Sequence, residues 1–460
     1  MRCLGTIAVS VLLALSAGPV ARAQGLAQTL ATAGDEGPDG LHLYSISVYS
    51  EYTSTVIPFG ASTSFNSTLP VGLSNLGPNY LGGILAKVGY RKTGARTNFY
   101  VTYVPSYDAS FRYSSLNSMN HFLTFGLIHD FGPKWTVTLS GAGLTARYDQ
   151  FFFDPTIFDS LVAVPATFDE LSQAILSGKY TSGQLASILT GAPLIESPAT
   201  TLLYGPRILD ASLRTDFSYE QSGRLHYHFG FGATRMQGLN SGKLENSSVS
   251  LLPQTTSPYV STGLTYALSP FTDVEVDLMA NRTFSRFEDA YISNGTIGLN
   301  RALGRSWIVG VKGGGGVVNP VRSTFTPLRG PHYLAGGSVT YKTLSNAFMA
   351  SYDRTITDFY GLGALNASIA SGAWTGHIPG RSWSVNAGAR YESIANIGGY
   401  NLNAWLGDAG INRRFGLHST VQLAYIYGRM SGVITGLPEK RSLQGVRLVI
   451  TWSPFLPLGM

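Results

Sequence analysis

Two short stretches of the chain place charge at positions of one parity. Asp210, Arg214, Asp216 and Glu220 form one, Asp273, Glu275 and Asp277 form the other, and His226 and His228 lie between them. Because side chains on an extended strand alternate faces, each stretch would present its charged groups on a single side. Three chemistries suit such a face. Fixed charges can line a narrow aqueous path and sort ions. They can equally pair across strands and hold a sheet's shape. The two histidines have a spacing that can offer imidazoles to a metal. No third or fourth ligand is near them in sequence, so paired histidines without metal is the stronger expectation. Arg235, Arg282, Lys312, Lys342, Arg390 and Arg447 add positive charge on other segments. With both signs present, no ion preference follows from the sequence.

Sequences suggestive of catalysis fail on context. Gly141-x-Gly143-x-x-Ala146 matches a dinucleotide fingerprint only in letters, because it falls inside an extended segment rather than on a strand-to-helix turn. Gly313 to Gly316 has no Lys-Ser or Lys-Thr after it and is no phosphate loop. Neither His-Glu-x-x-His nor Gly-x-Ser-x-Gly occurs. No catalytic residue, metal or cofactor is expected, and net charge is too mild to suggest nucleic acid.

The elements that would carry these residues are strands. Leu225, Tyr227, Phe229 and Phe231 alternate with His226, His228, Gly230 and Gly232, and Val446, Leu448, Ile450 and Trp452 alternate with more polar neighbours. A face for lipid and a face for a wet lumen is the signature of a transmembrane β-barrel. Such runs predict strands near 41–54, 80–91, 96–107, 118–130, 134–149, 207–220, 224–237, 257–268 and 271–285. They continue near 289–302, 305–318, 332–342, 346–357, 361–374, 381–392, 400–412, 415–428 and 441–453. The expectation is an all-β, antiparallel up-and-down barrel of about eighteen strands, or sixteen given the weak 361–374 segment. Short turns alternate with longer connections at 55–79, 150–206, 238–256, 319–331, near 358–360, and at 429–440. One end of the barrel is therefore trimmed and the other elaborated. His129, His332, His377 and His418 are expected near the trimmed end.

The longest connection, 150–206, is predicted to hold two short amphipathic helices. Thr167 and Ser182 are their caps, with Phe168, Leu171 and Ile175 on the first and Leu185 and Ile188 on the second. These residues are the candidates for a constriction, or for a lid over the outer mouth.

Composition agrees with a membrane location. Charged residues make up 13% and aromatics 12% of the chain, against about 25% charged in soluble domains. Arg2, an apolar run from Leu4 to Ala17 and Ala21-Arg22-Ala23 predict a signal peptide over 1–23, followed by a short segment, 24–40. That run is shorter than the ~20 residues a spanning helix needs. The one cysteine, Cys3, precedes it. Trp135, Trp307, Trp383 and Trp452 fall beside predicted short turns or the end of the last strand, with Trp374 near another, as expected of an interfacial girdle.

Taken together, residues 41–453 resemble a Gram-negative outer-membrane β-barrel of the porin-like kind. The final strand, Gly445 to Trp452, resembles the C-terminal strand read by barrel-assembly machinery, although a tail, 454–460, follows it. The resemblance implies contact with outer-membrane lipid and lipopolysaccharide, both termini in the periplasm, and passive diffusion of small polar solutes. It leaves association of three copies open. The competing readings are an outer-membrane barrel enzyme, a protease or lipid hydrolase, and a structural or adhesive barrel whose loops bind a partner.

Overall fold

The computed structural model describes residues 39–54, 57–58, 78–112, 117–150, 203–239, 254–285, 288–304, 306–323, 328–343, 345–358, 364–378, 382–397, 400–416, 418–434 and 437–454. The signal peptide, the two helices expected within 150–206 with Phe168, Leu171, Ile175, Leu185 and Ile188, and most of the C-terminal tail lie outside these residues.

Eighteen long antiparallel strands close into one barrel. In chain order they are β1 (Gly40–Thr53), β3 (Asn79–Thr93), β4 (Thr97–Ser110), β5 (Ser118–Asp130), β6 (Trp135–Gln150) and β7 (Leu203–Ser222). β8 (Leu225–Gly238), β9 (Thr255–Ser269), β10 (Thr272–Phe284), β11 (Glu288–Leu303), β12 (Trp307–Ser323) and β13 (Gly330–Lys342) follow. The last six are β14 (Asn346–Asp358), β15 (Ala364–His377), β16 (Trp383–Ile397), β17 (Tyr400–Phe415), β18 (Ser419–Ile434) and β19 (Leu437–Trp452). A two-residue segment, β2 (Ile57–Pro58), pairs in parallel with the start of β7. Every expected strand is present, including the weak one, which is β15. The seam is made by β1, which pairs with β19 from Ile46↔Trp452 to Thr53↔Gly445 and with β3 along its other edge. Closure leaves no edge among the long strands, and hydrocarbon supplies no partner for an open one.

The short connections are 94–96, 131–134, 223–224, 270–271, 304–306, 343–345, 378–382 and 416–418. Gly132, Gly304 and Gly416 take positive φ in three of them, where a Cβ would be strained. Both ends of the barrel-forming chain lie at this end. The other end is less uniformly elaborated than the sequence suggests. Only 435 and 436 separate β18 from β19, and 398 and 399 separate β16 from β17. The expected connection 429–440 is thus mostly hairpin: its glycines and Pro438 resemble loop residues, but the ladder runs on through Val433↔Pro438. Arg413 and Arg414, which fall between the predicted strands 400–412 and 415–428, belong to β17 and immediately precede its last residue, Phe415.

Alternation sorts each strand into two faces. Val48, Ile84, Leu123, Leu213, Val260, Leu278, Ile297, Val311, Leu423 and Ile450 stand exposed on the outside. Such a surface is costly in water and suited to lipid. Trp135, Trp307 and Trp383 open their strands, Trp452 closes the last and Trp374 lies three residues from the end of β15. Their rings pack at the trimmed end on Tyr219, Tyr341 and, for Trp383, under the Arg413 guanidinium.

Candidate functional site

The candidate site is the inner wall, which the sheet divides into arcs of different chemistry. On β3 to β6 it is mixed. Leu81, Leu85, Tyr100, Val104, Phe122 and Leu144 are buried on the inner face beside Thr102, Ser106, Asp108, Asn120, Thr124 and Ser140. Most of the remaining charged residues of the wall gather from β7 onward.

Alternation turns Arg214, Asp216 and Glu220 of β7 inward, together with His226 and His228 of β8 and Asp273, Glu275 and Asp277 of β10. Arg214 forms an ion pair with Asp216, two residues along the same face. His226 Nδ1 lies 3.8 Å from Glu220 Oε1. His228 Nε2 lies 3.2 Å from Asp277 Oδ1, although β9 runs between their strands. The intervening residue is Gly263, in register with both. A Cβ there would overlap the His228 ring and the Asp277 carboxylate and come within 2.6 Å of the Val276 carbonyl.

The same device recurs. Lys312 of β12 reaches across Gly336 of β13 to Asp353 of β14, with Nζ 2.9 Å from Oδ1. Tyr49 of β1 lies over Gly83 of β3 and donates its hydroxyl hydrogen to Asp108 of β4. Asp108 also accepts from Asn120 Nδ2 at 2.9 Å. A glycine on the middle strand lets a long polar side chain lie flat along the wall instead of projecting into the lumen. This gives Gly83, Gly263 and Gly336 a use beyond turns.

A third arc spans β16 to β1. Arg390 Nη2 bonds Glu392 Oε2 at 3.3 Å. Arg447 faces Glu51 across the seam, and both are 1% exposed. Asp408 is a further electrostatic neighbour of Arg447.

Several expected positions fall elsewhere. Arg235 has the parity of Phe229 and Phe231, stands exposed on the outside near the far end of β8 and bonds Gln237. Arg282 also faces outward, where it pairs with Asp289 and covers Phe284 and Tyr291. Counting positive charge without parity put both of them inside. His332 opens β13 at the elaborated end, near Arg329 O and Asn366, and not at the trimmed end. Lys342 faces inward at the trimmed end. The backbone of Asp210 belongs to β7, and its side chain is outside the description. Sequence reading omitted the inward Glu51, Asp108, Asp353, Glu392 and Asp408, although parity within their strands was signal enough to find them. Among the described residues, no group of three or more His, Cys, Asp or Glu could hold a metal ion.

No family model matches this chain, and no curated protein matches it. Solved structures similar to it include OpdQ of Pseudomonas aeruginosa, at 10% identity and TM-score 0.44, covering 91% of this chain and 98% of that one. OccK9 (OpdG) of Pseudomonas aeruginosa is similar at 11% identity and TM-score 0.45, covering 89% and 97%. The siderophore receptor PirA from Acinetobacter baumannii is similar at 7% identity and TM-score 0.44, covering 91% and 81%.

Proposed function

We propose that this barrel is a passive channel of the outer membrane for small polar solutes. The observation that carries the reading is the inner wall. It holds many charged side chains, of which His228 and Asp277, and Lys312 and Asp353, meet flat along the wall across a glycine. A protein selected only for a packed interior has little need to hold so many ions there, since burying each one costs free energy that pairing at best offsets. The exposed apolar exterior supports a lipid setting. The proposal needs no covalent step, and none is assigned to the histidines. Trimmed turns and both barrel-forming ends at one rim support a periplasmic placement of that rim. The outward Val446, Leu448, Ile450 and Trp452 support β19 as the strand that assembly machinery reads.

Residues 150–206 are our candidate constriction on sequence grounds alone, and deleting 160–195 should raise conductance. The transport reading is tested by swelling of liposomes that contain the refolded protein. Small sugars and amino acids should enter at rates that fall with solute size. Swelling no faster than in protein-free liposomes would reject it.

A further inference from the structure

The inner wall from β7 to β12 carries more negative than positive charge, and its bases are already engaged. Arg214 is held by Asp216, and Lys312, whose field reaches Glu275, is bonded to Asp353 on β14. Among the described residues, Glu220, Asp273, Glu275 and Asp277 have no lysine or arginine in ion-pair contact. Their neighbours are the two histidines and Asn300, which donates to Asp273 Oδ2 at 3.5 Å. Glu275 lies between Asp273 and Asp277 on the same face, is 3% exposed, and its Oε1 accepts no hydrogen bond.

A carboxylate in this position is stable as an ion only if a positive charge compensates it. Among the described residues no lysine or arginine is in ion-pair contact with Glu275, and Lys312 acts on it only from a distance while bonded to Asp353. The groups there do not form a chelating metal site. The rest of the compensation belongs to a mobile charge, either a proton shared with Asp277 or a permeating cation. We propose that this acidic arc makes the lumen select cations over anions, with monovalent cations and protonated amines as the favoured solutes and Glu275 as the residue on which that preference chiefly depends. Low-dielectric walls on either side focus the field of the arc into the path, so a permeating ion need not touch the carboxylate to be sorted.

This inference rests on the channel reading, and one experiment separates the two. The protein is refolded into a planar bilayer and its reversal potential is measured in a potassium chloride gradient at pH 8, where ordinary imidazoles are neutral. The wild-type potential should lie on the potassium side. Glu275→Gln, an isosteric change, should lower the potassium-to-chloride permeability ratio about fourfold. That is the Coulomb effect of one charge on oppositely charged ions about 10 Å away in water. The combined Asp273→Asn, Glu275→Gln, Asp277→Asn variant should lose the preference. Conductance with no preference for potassium, or a preference that survives the triple change, overturns the inference alone. Absence of conductance in the wild type overturns the channel reading and this inference with it.

Discussion

The glycine gaps predict that two superficially equal substitutions will behave differently. In Gly336→Ala the new Cβ would overlap Cε of Lys312, lie 3.0 Å from its Cγ and 3.3 Å from Asp353 Oδ1. The obstacle is mostly a flexible side chain, so Lys312 can lift off the wall and into the lumen. The lost contact is a 2.9 Å ion pair between side chains that are 12% and 19% exposed. Its gross attraction is about 6 kcal/mol at an effective dielectric of 20. Both groups regain water when they separate, which leaves a net cost of about 1 kcal/mol. Alanine returns about 0.5 kcal/mol by restricting the unfolded chain. Stability should therefore change by less than about 1 kcal/mol, while a positive charge moves into the path.

Gly263→Ala meets a different obstacle. Its Cβ lies 2.6 Å from the main-chain carbonyl of Val276, which cannot rotate away, and it also drives His228 from Asp277. Overpacking of this kind costs about 1–3 kcal/mol. Urea titrations in lipid vesicles should separate the two variants, and bilayer recordings should show altered conductance for Gly336→Ala. Equal stability losses, or a Gly336→Ala channel indistinguishable from wild type, would refute the argument that these glycines exist to let side chains lie flat.

Other predictions follow from the two faces and the seam. Arg235→Ala should leave conductance and ion preference unchanged, because its side chain is outside; a shift in either would place it in the lumen after all. Leu278→Arg, on the lipid face of β10, should cost about 2–4 kcal/mol in vesicle unfolding, and a change below about 0.5 kcal/mol would argue that this face does not meet hydrocarbon. Arg447→Ala removes the buried guanidinium opposite Glu51 and should cost about 3–5 kcal/mol, read as a lower urea midpoint. An unchanged midpoint would mean the seam does not depend on it.

The strands were legible because lipid imposes a strict period of two on one face. Even the glycine- and alanine-rich β15 could be found once its neighbours set the rhythm. Ends were less legible at the elaborated rim, where β18 and β19 run on through Gly432 and Pro438 beyond the apolar pattern. The facing of charges was legible in principle: Arg235 shares the parity of Phe229, and Glu51 that of Tyr49. Which charges meet was not. His228 and Asp277 are on strands that are not neighbours, and their contact depends on register and on the absence of a side chain at Gly263. Nothing local to either residue encodes that. The apolar residues on the inner face of β3 to β5 escaped for a related reason, since Leu81, Leu85, Val104 and Phe122 sit in strands whose outward residues are equally apolar.

The central claim, that the closed barrel conducts, is tested most directly by recording from the purified, refolded wild-type protein in a planar lipid bilayer. Discrete, steady conductance steps that scale with salt concentration are predicted. A protein that inserts as a folded barrel and yet carries no current would contradict the account.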